Sequence, residues 1–151
     1  MATTIWIDAD ACPQAVKQVI FKAAMRTKTQ TVLVANSWMK LPPQPFLRLE
    51  VVDKGADVAD QYIVDHCEIN DLVITADIPL ADLIVKKGVA AINPRGKIYT
   101  SQNISEALSM RNFMEDLRGS GQITGGPASM SQNHVQAFAR SFDKVLTKVL
   151  S

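Results

Sequence analysis

The chain has 151 residues, 16 basic and 15 acidic, for a formal net charge of +1, with 47% hydrophobic and 21% charged residues. A chain of that length buries about 68–70% of its unfolded surface and needs no disulfide or metal merely to fold, and the composition excludes wholesale disorder. The near balance of charge excludes a generally cationic nucleic-acid binder, although net charge says nothing of how the charges are distributed.

The first residues, MATTIWIDAD, carry neither the basic stretch nor the long apolar run of a secretory signal. No stretch approaches the roughly 18 uninterrupted apolar residues of a membrane span. A cytoplasmic protein without a membrane partner is expected, with Cys12 and Cys67 as free thiols. Those cysteines and the two histidines, His66 and His134, are too few and too dispersed for a zinc site.

Thr3–Asp8 is apolar and β-branched and reads as a buried strand. Pro13 suits a first helical position, and Gln14–Arg26 places Val16, Val19, Ile20 and Ala23 at helical spacing. Gln30–Ala35 predicts a second strand, and the prolines at 42, 43 and 45 make Asn36–Pro45 a loop. Leu49–Val52 predicts a third strand, near an edge because Arg48 and Glu50 flank its apolar positions. Ala56–Cys67 fits a helix, Asp71–Ala76 a fourth strand, Pro79–Lys87 a helix that Gly88 ends, and Val89–Ile92 a fifth strand closed by the Asn93–Gly96 turn. Lys97–Tyr99 is a short candidate extension of the sheet. A helix follows over Ile104–Arg118, with Asn103 and Glu106 spaced as a capping box. The glycine-rich stretch 119–130 predicts a loop. It leads to a last helix, Gln132–Leu150, with Phe138, Phe142, Val145, Leu146 and Val149 as its apolar stripe. This alternation predicts a single α/β domain over 1–151, with three α/β/α layers around a mostly parallel five-stranded sheet.

The acids are concentrated. Eight of the fifteen fall between residues 53 and 82. Asp53, Asp65 and Asp71 have ordinary explanations as capping or solvated residues. Asp8, Asp10 and Asp77 instead follow apolar strands at their carboxyl ends, where open parallel sheets bind ligands at the point of strand-order reversal. If the fourth strand returns beside the first, these three converge there. Convergent carboxylates repel unless protons or a cation compensate, and hard oxygen donors without thiolate or imidazole suit Mg²⁺ or Mn²⁺. Asp57 and Asp60, at i and i+3, share a helix face and are candidates to complete the set; the helix dipole alone explains Asp57 but explains Asp60 less well. Asp82 is equally a candidate outer ligand and an exposed helical acid.

Among the basic residues, Arg95 in the turn after the fifth strand falls at the same end of the sheet and is a candidate for substrate binding. Lys86 and Lys87 are explained by the dipole of the helix they end. Gly125 and Gly126 present backbone N–H groups suited to an anion, and equally suit a plain linker. Arg140, Lys144 and Lys148 recur at i, i+4 and i+8 as a basic stripe, either a solvated face or a phosphate contact. Cys12 has no neighbouring histidine base and is not read as a catalytic thiol. Trp6 and Trp38 do not form a stacking platform.

Five ordered motifs carry a family resemblance: IWIDADACP at 5–13, KGADVADQYI at 54–63, LVITADIPLA at 72–81, INPRG at 92–96 and TGGP at 124–127. They resemble the uncharacterised bacterial YaiI/YqxD-like family, over nearly the whole chain. That family is similar to PIN-like domains, a fold of metal-dependent nucleases. The resemblance implies strand order 3-2-1-4-5 and matches Asp8, Asp10, Asp57, Asp60 and Asp77 to the family's acidic positions. Before the phenylalanine of the last helix the family carries an acidic-basic pair, where this chain has His134 and Val135, so no role is carried over for them.

Three functions compete. The first is a Mg²⁺- or Mn²⁺-dependent phosphodiesterase acting on RNA or DNA, with Asp8, Asp10 and Asp77 as its catalytic carboxylates. The second is a haloacid-dehalogenase-like phosphomonoesterase with Asp8 as nucleophile and Asp10 as acid/base; Cys12 in place of the usual Thr or Val, and the want of a cap insertion, count against it. The third is a metal- or RNA-binding module without turnover. Oligomeric state is not legible.

Overall fold

The computed structural model describes residues 2–55, 57–121 and 130–151. Its sheet comprises β1 (Thr4–Asp8), β2 (Gln30–Ala35), β3 (Leu47–Val51), β4 (Leu72–Ile74), β5 (Ala90–Ile92) and β6 (Ile98–Tyr99), in the order β3-β2-β1-β4-β5-β6. β1 to β5 are parallel, and β6 pairs antiparallel with β5. The helices are α1 (Gln14–Thr27), α2 (Val58–His66), α3 (Ile78–Lys86), α4 (Ile104–Gly119) and α5 (Gln132–Leu150).

Strand alternation sorts the core into two layers. Ile5, Ile7, Leu33, Leu72 and Ile74 point to one face, where Val16, Ile20 and Phe21 of α1 and Phe138, Phe142 and Leu146 of α5 cover them. Trp6, Val32, Val34 and Val73 point to the other, under Ile63 of α2, Leu80 and Ile84 of α3, and Ile104 of α4. Burial on both faces is why these strands read as continuous apolar runs rather than alternating ones. Phe138 and Phe142, one helical turn apart, stack with ring centroids 5.4 Å apart.

The chain moves outward from β1 to β3 and returns to β4 beside β1, so the strand order reverses between β1 and β4. That reversal puts the ends of β1 and β4 side by side, with Ile7 paired to Ile74.

Several expectations are corrected. The sheet has six strands, since Ile98–Tyr99 does pair with β5. β3 starts two residues earlier than its apolar pattern suggests, at Leu47, although it does lie at the sheet edge as expected. Pro13 is the residue before α1, not its first helical one: its ψ of 149° is extended, and a single 3-10 turn at Ala9–Ala11 bends the chain away from β1 first. Asn103 makes no capping bond to α4; its side chain accepts from Thr100 N and donates to Ile98 O, tying the helix start back to β6. The capping box lies at α5 instead, where Ser131 and His134 bond reciprocally. Among the described residues, no helix is long and apolar enough to cross a membrane.

Candidate functional site

Asp8 is the last residue of β1 and is 6% exposed. Thr75, just past β4, donates its hydroxyl to Asp8 Oδ2 at 2.9 Å and accepts from Asp77 N at 3.0 Å. One hydroxyl therefore joins the two strand-end aspartates. Asp77 caps α3, accepting from Leu80 N at 2.9 Å, with Pro79 in the first turn where its missing N–H costs nothing. Asp10 is exposed, and its Oδ2 accepts from Asn36 N at 2.8 Å, which ties the turn after β1 to the end of β2.

Asp60 joins from the first turn of α2. Its carboxyl is pushed up to about 7, first by burial, then by the charges of Asp77 and Asp8, by a hydrogen bond it shares with Asp77, and by Asp57. Asp8 is also raised, by burial and by the neighbouring Asp77 and Asp10, against the lowering effect of the Thr75 hydroxyl. The five acids singled out in the sequence thus act on one another electrostatically at a single end of the sheet. Asp57 is the outermost: it is exposed, makes no side-chain cap to α2, and has a left-handed φ of 69°. That conformation is costly for most residues but accessible to aspartate.

Asn36 adds a feature that its sequence position does not advertise. Its Oδ1 is buried and meets no hydrogen-bond donor among the described residues. A buried acceptor without a partner costs free energy.

The donor chemistry fits a hard divalent cation: carboxylate oxygens surround the site, and an orphaned amide oxygen belongs to the residue bonded to Asp10. The placement is less complete. Among the described residues, no group of three or more His, Cys, Asp or Glu side chains is arranged to hold a metal ion as it stands. Each carboxylate has other partners in this arrangement: Asp77 caps a helix, Asp10 accepts from Asn36 N, Asp8 accepts from Thr75, and Asp60 is hydrogen-bonded with Asp77.

The remaining candidates separate. Asp82 pairs with Lys86 at 2.8 Å on the same helix, which accounts for it without a ligand role. Arg95 does lie at this end: it follows β5, its guanidinium is 3.4 Å from His134 Nε2, and it lines a pocket of about 390 Å³ with Ala11, Pro13, Ala76 and Ile78. Three of those residues adjoin Asp10 or Asp77 in sequence, so the pocket abuts the carboxylates. Gly125 and Gly126 lie outside the described residues. Burial pushes the Cys12 thiol up to about 12, in keeping with an inert thiol.

Asp71 is the clearest correction. Read from sequence as solvated or capping, it is 3% exposed at the opposite end of the sheet and accepts from Thr4 N, Trp6 Nε1 and Glu68 N at 2.8–2.9 Å. Thr75, Asn36 and His134 were not identified as site residues from the sequence. Thr75 reads as one more β-branched strand residue, and Asn36 as part of a proline-rich loop.

A family model described as "Uncharacterized BCR, YaiI/YqxD family" matches residues 6–148. Among curated relatives, a "UPF0178 protein" of Shewanella baltica is 59% identical over 145 residues, covering 96% of this chain and 97% of the relative. A protein of the same description from Maridesulfovibrio salexigens is 54% identical over 147 residues, covering 97% of each chain. Another, from Dechloromonas aromatica, is 53% identical over 145 residues, covering 96% of this chain and 97% of the relative. No solved structure matches the chain.

Proposed function

The chain belongs to the YaiI/YqxD family, and from the carboxylates its fold brings together we propose that it hydrolyses phosphodiester bonds in RNA or DNA with the help of Mg²⁺ or Mn²⁺. The observation that carries this reading is the convergence of Asp8, Asp60 and Asp77 at the point where strand order reverses, where burial and neighbouring carboxylates raise the carboxyls of Asp8 and Asp60. Carboxylates held against one another in this way need a counter-charge, and strongly perturbed groups in a cleft mark functional sites more often than structural ones. The resemblance to PIN-like domains points the same way.

Asp8, Asp10, Asp60 and Asp77 would hold the metal, with Asp57 as an outer charge. A bound divalent ion supplies an acidified water and neutralises charge on the phosphate. Thr75 fixes the direction of Asp8 Oδ2 and of the Asp77 backbone. Asp60 would bind such an ion as its anion, so ligation would compete with the protonation that burial and its acidic neighbours favour. Arg95, at the pocket beside the carboxylates, positions a phosphate or the group next to it.

The test is a Mn²⁺ titration of wild type, Asp8→Asn and Asp60→Asn, followed by cleavage assays on labelled RNA, DNA and a phosphomonoester. Weakened metal binding in both variants together with metal-dependent strand cleavage is the expected result. Undiminished binding in both removes the metal centre. Binding without turnover of any substrate leaves a metal-binding module in its place.

A further inference from the structure

We propose that the flank of α5 next to the 93–97 turn is a track for a nucleic-acid backbone running toward the acidic end of the sheet. The choice of ligand rests on the phosphodiesterase reading above; the surface is argued from its own geometry.

The turn is locked to the helix. Gly96 has φ +97°, and a Cβ there would sit 2.7 Å from the backbone carbonyl of Ala137. Only glycine permits so close an approach. Ser141 Oγ donates to Gly96 O at 2.6 Å and closes the seam. Arg95 and Lys97 are thereby fixed beside the first half of α5.

Lys144 and Lys148 continue that same flank. Positions 137, 141, 144 and 148 follow i, i+4, i+7 and i+11, which is one face of a helix. Arg140 lies in the adjoining row, and all three cations are exposed. The only acid in α5, Asp143, lies one turn from Arg140 and pairs with Arg26 of α1 at 3.2 Å. The helix dipole explains Lys148, in the last turn, but gives little to Arg140 and Lys144 further in.

The row has a direction. α5 begins beside Arg95 at the carboxyl end of β5 and ends beside Thr3, whose hydroxyl donates to Val149 O at the start of β1. From His134 to Lys148 the helix rises about 21 Å. The cations therefore lead from the far end of the sheet to the end that carries the carboxylates. A linear series of point charges spaced about 6 Å apart along the helix fits a polyphosphate backbone. A membrane surface fits less well, since interfacial helices bury an exposed apolar face. The exposed Leu150 is two residues beyond Lys148, on the opposite side of the helix.

The test compares wild type with the combined variant Arg140→Gln, Lys144→Gln, Lys148→Gln by anisotropy of a labelled single-stranded oligonucleotide across a salt series. The expected result is at least tenfold weaker binding near 50 mM salt. The slope of log K against log salt should become shallower by about 2, as three lost phosphate contacts require. A Lys22→Gln, Lys28→Gln variant, on α1 and at its C-cap, should leave the slope unchanged. Equal slopes for the α5 variant and wild type overturn the proposal, as does wild type binding no oligonucleotide. Binding to phosphatidylserine vesicles in place of oligonucleotide also overturns it. Turnover of bis(4-nitrophenyl) phosphate keeps the two readings apart: the α5 variant should retain it and Asp8→Asn should lose it. Oligonucleotide binding that depends on the α5 cations, in a protein that cleaves neither substrate, supports the track and removes the hydrolysis.

Discussion

Asp71 and Asp60 lie toward opposite ends of one sheet and have opposite surroundings. Asp71, which enters β4, receives N–H donors from Thr4, Trp6 and Glu68. Asp60, beside the tips of β1 and β4, receives Asp77, Asp8 and Asp57 as neighbours. Both are aspartates removed to some degree from water. The first accepts three N–H groups that would otherwise be orphaned, and so it fastens the start of β1 to the start of β4. The second is pressed toward its neutral form, so its protonation and its ligation are linked. Burial alone does not separate a structural carboxylate from a functional one; the sign of what surrounds it does.

The largest expected effect breaks the structural side of this contrast. Asp71→Ala strands the indole N–H of Trp6 and the amides of Thr4 and Glu68, and should cost about 3–4 kcal/mol, since each buried donor left unpaired costs about 1–3 kcal/mol. Urea unfolding reads this directly. A loss below about 1 kcal/mol would mean that water replaces Asp71 without penalty.

Next in size is the response to metal. An ion that binds only the folded chain stabilises it by about 2.7 kcal/mol at a concentration 100 times its dissociation constant. Mn²⁺ should therefore raise the melting temperature of wild type and of an Asp71 variant, and raise that of Asp8→Asn much less. Equal shifts in all three would place the ion elsewhere.

The sequence divides along the same line. β1, β2 and β4 were legible because both of their faces are buried, and the strand-end positions of Asp8, Asp10 and Asp77 followed from those strands. Asp71 was misread because its partners Thr4 and Trp6 lie 67 and 65 positions away, and no local pattern records them. Asp60 was legible as a candidate to complete the carboxylate set, on the helix face it shares with Asp57 and poorly explained by the dipole; which acids it meets is set by the crossover. β6 has two residues, too few for a periodicity. Asn103 and Glu106 had capping spacing, but the Asn103 side chain found Thr100 and Ile98 first. Local competition of that kind is common for asparagine, whose short amide reaches nearby backbone as readily as a helix end.

A smaller effect tests the charged end. The folded pKa of Asp60, about 7, lies above the ordinary aspartate value of 3.8, so the folded chain binds the extra proton between those values. Its contribution to stability is fully present below the unfolded pKa and is lost as pH rises through 7. The metal-free protein should gain stability as pH falls from 8 to 5, with Asp8 acting in the same sense. Asp60→Asn should flatten that dependence and raise stability at pH 8 by about 1–2 kcal/mol, after allowance for solvent screening of a partly exposed group. The sign is opposite to that of Asp71→Ala. A destabilised Asp60→Asn with an unchanged pH profile would make the two carboxylates alike.

The smallest expected effect separates two duties of one residue. Asp77 caps α3 through Leu80 N and also charges the site. Asparagine keeps a capping oxygen and removes the charge, whereas alanine removes both. Asp77→Asn should therefore retain helix stability and relieve Asp60, lowering the pH at which the protein loses its acid-side gain. Asp77→Ala should show the same shift in pH but lose about 1 kcal/mol at every pH, the ordinary worth of a cap. If the two variants are equally stable, the Leu80 bond contributes nothing, and charge alone remains as the reason for an aspartate at this strand end. If they differ in stability while neither moves the pH profile, Asp77 belongs with Asp71 as a structural acid, and the electrostatic unit shrinks to Asp8 and Asp60.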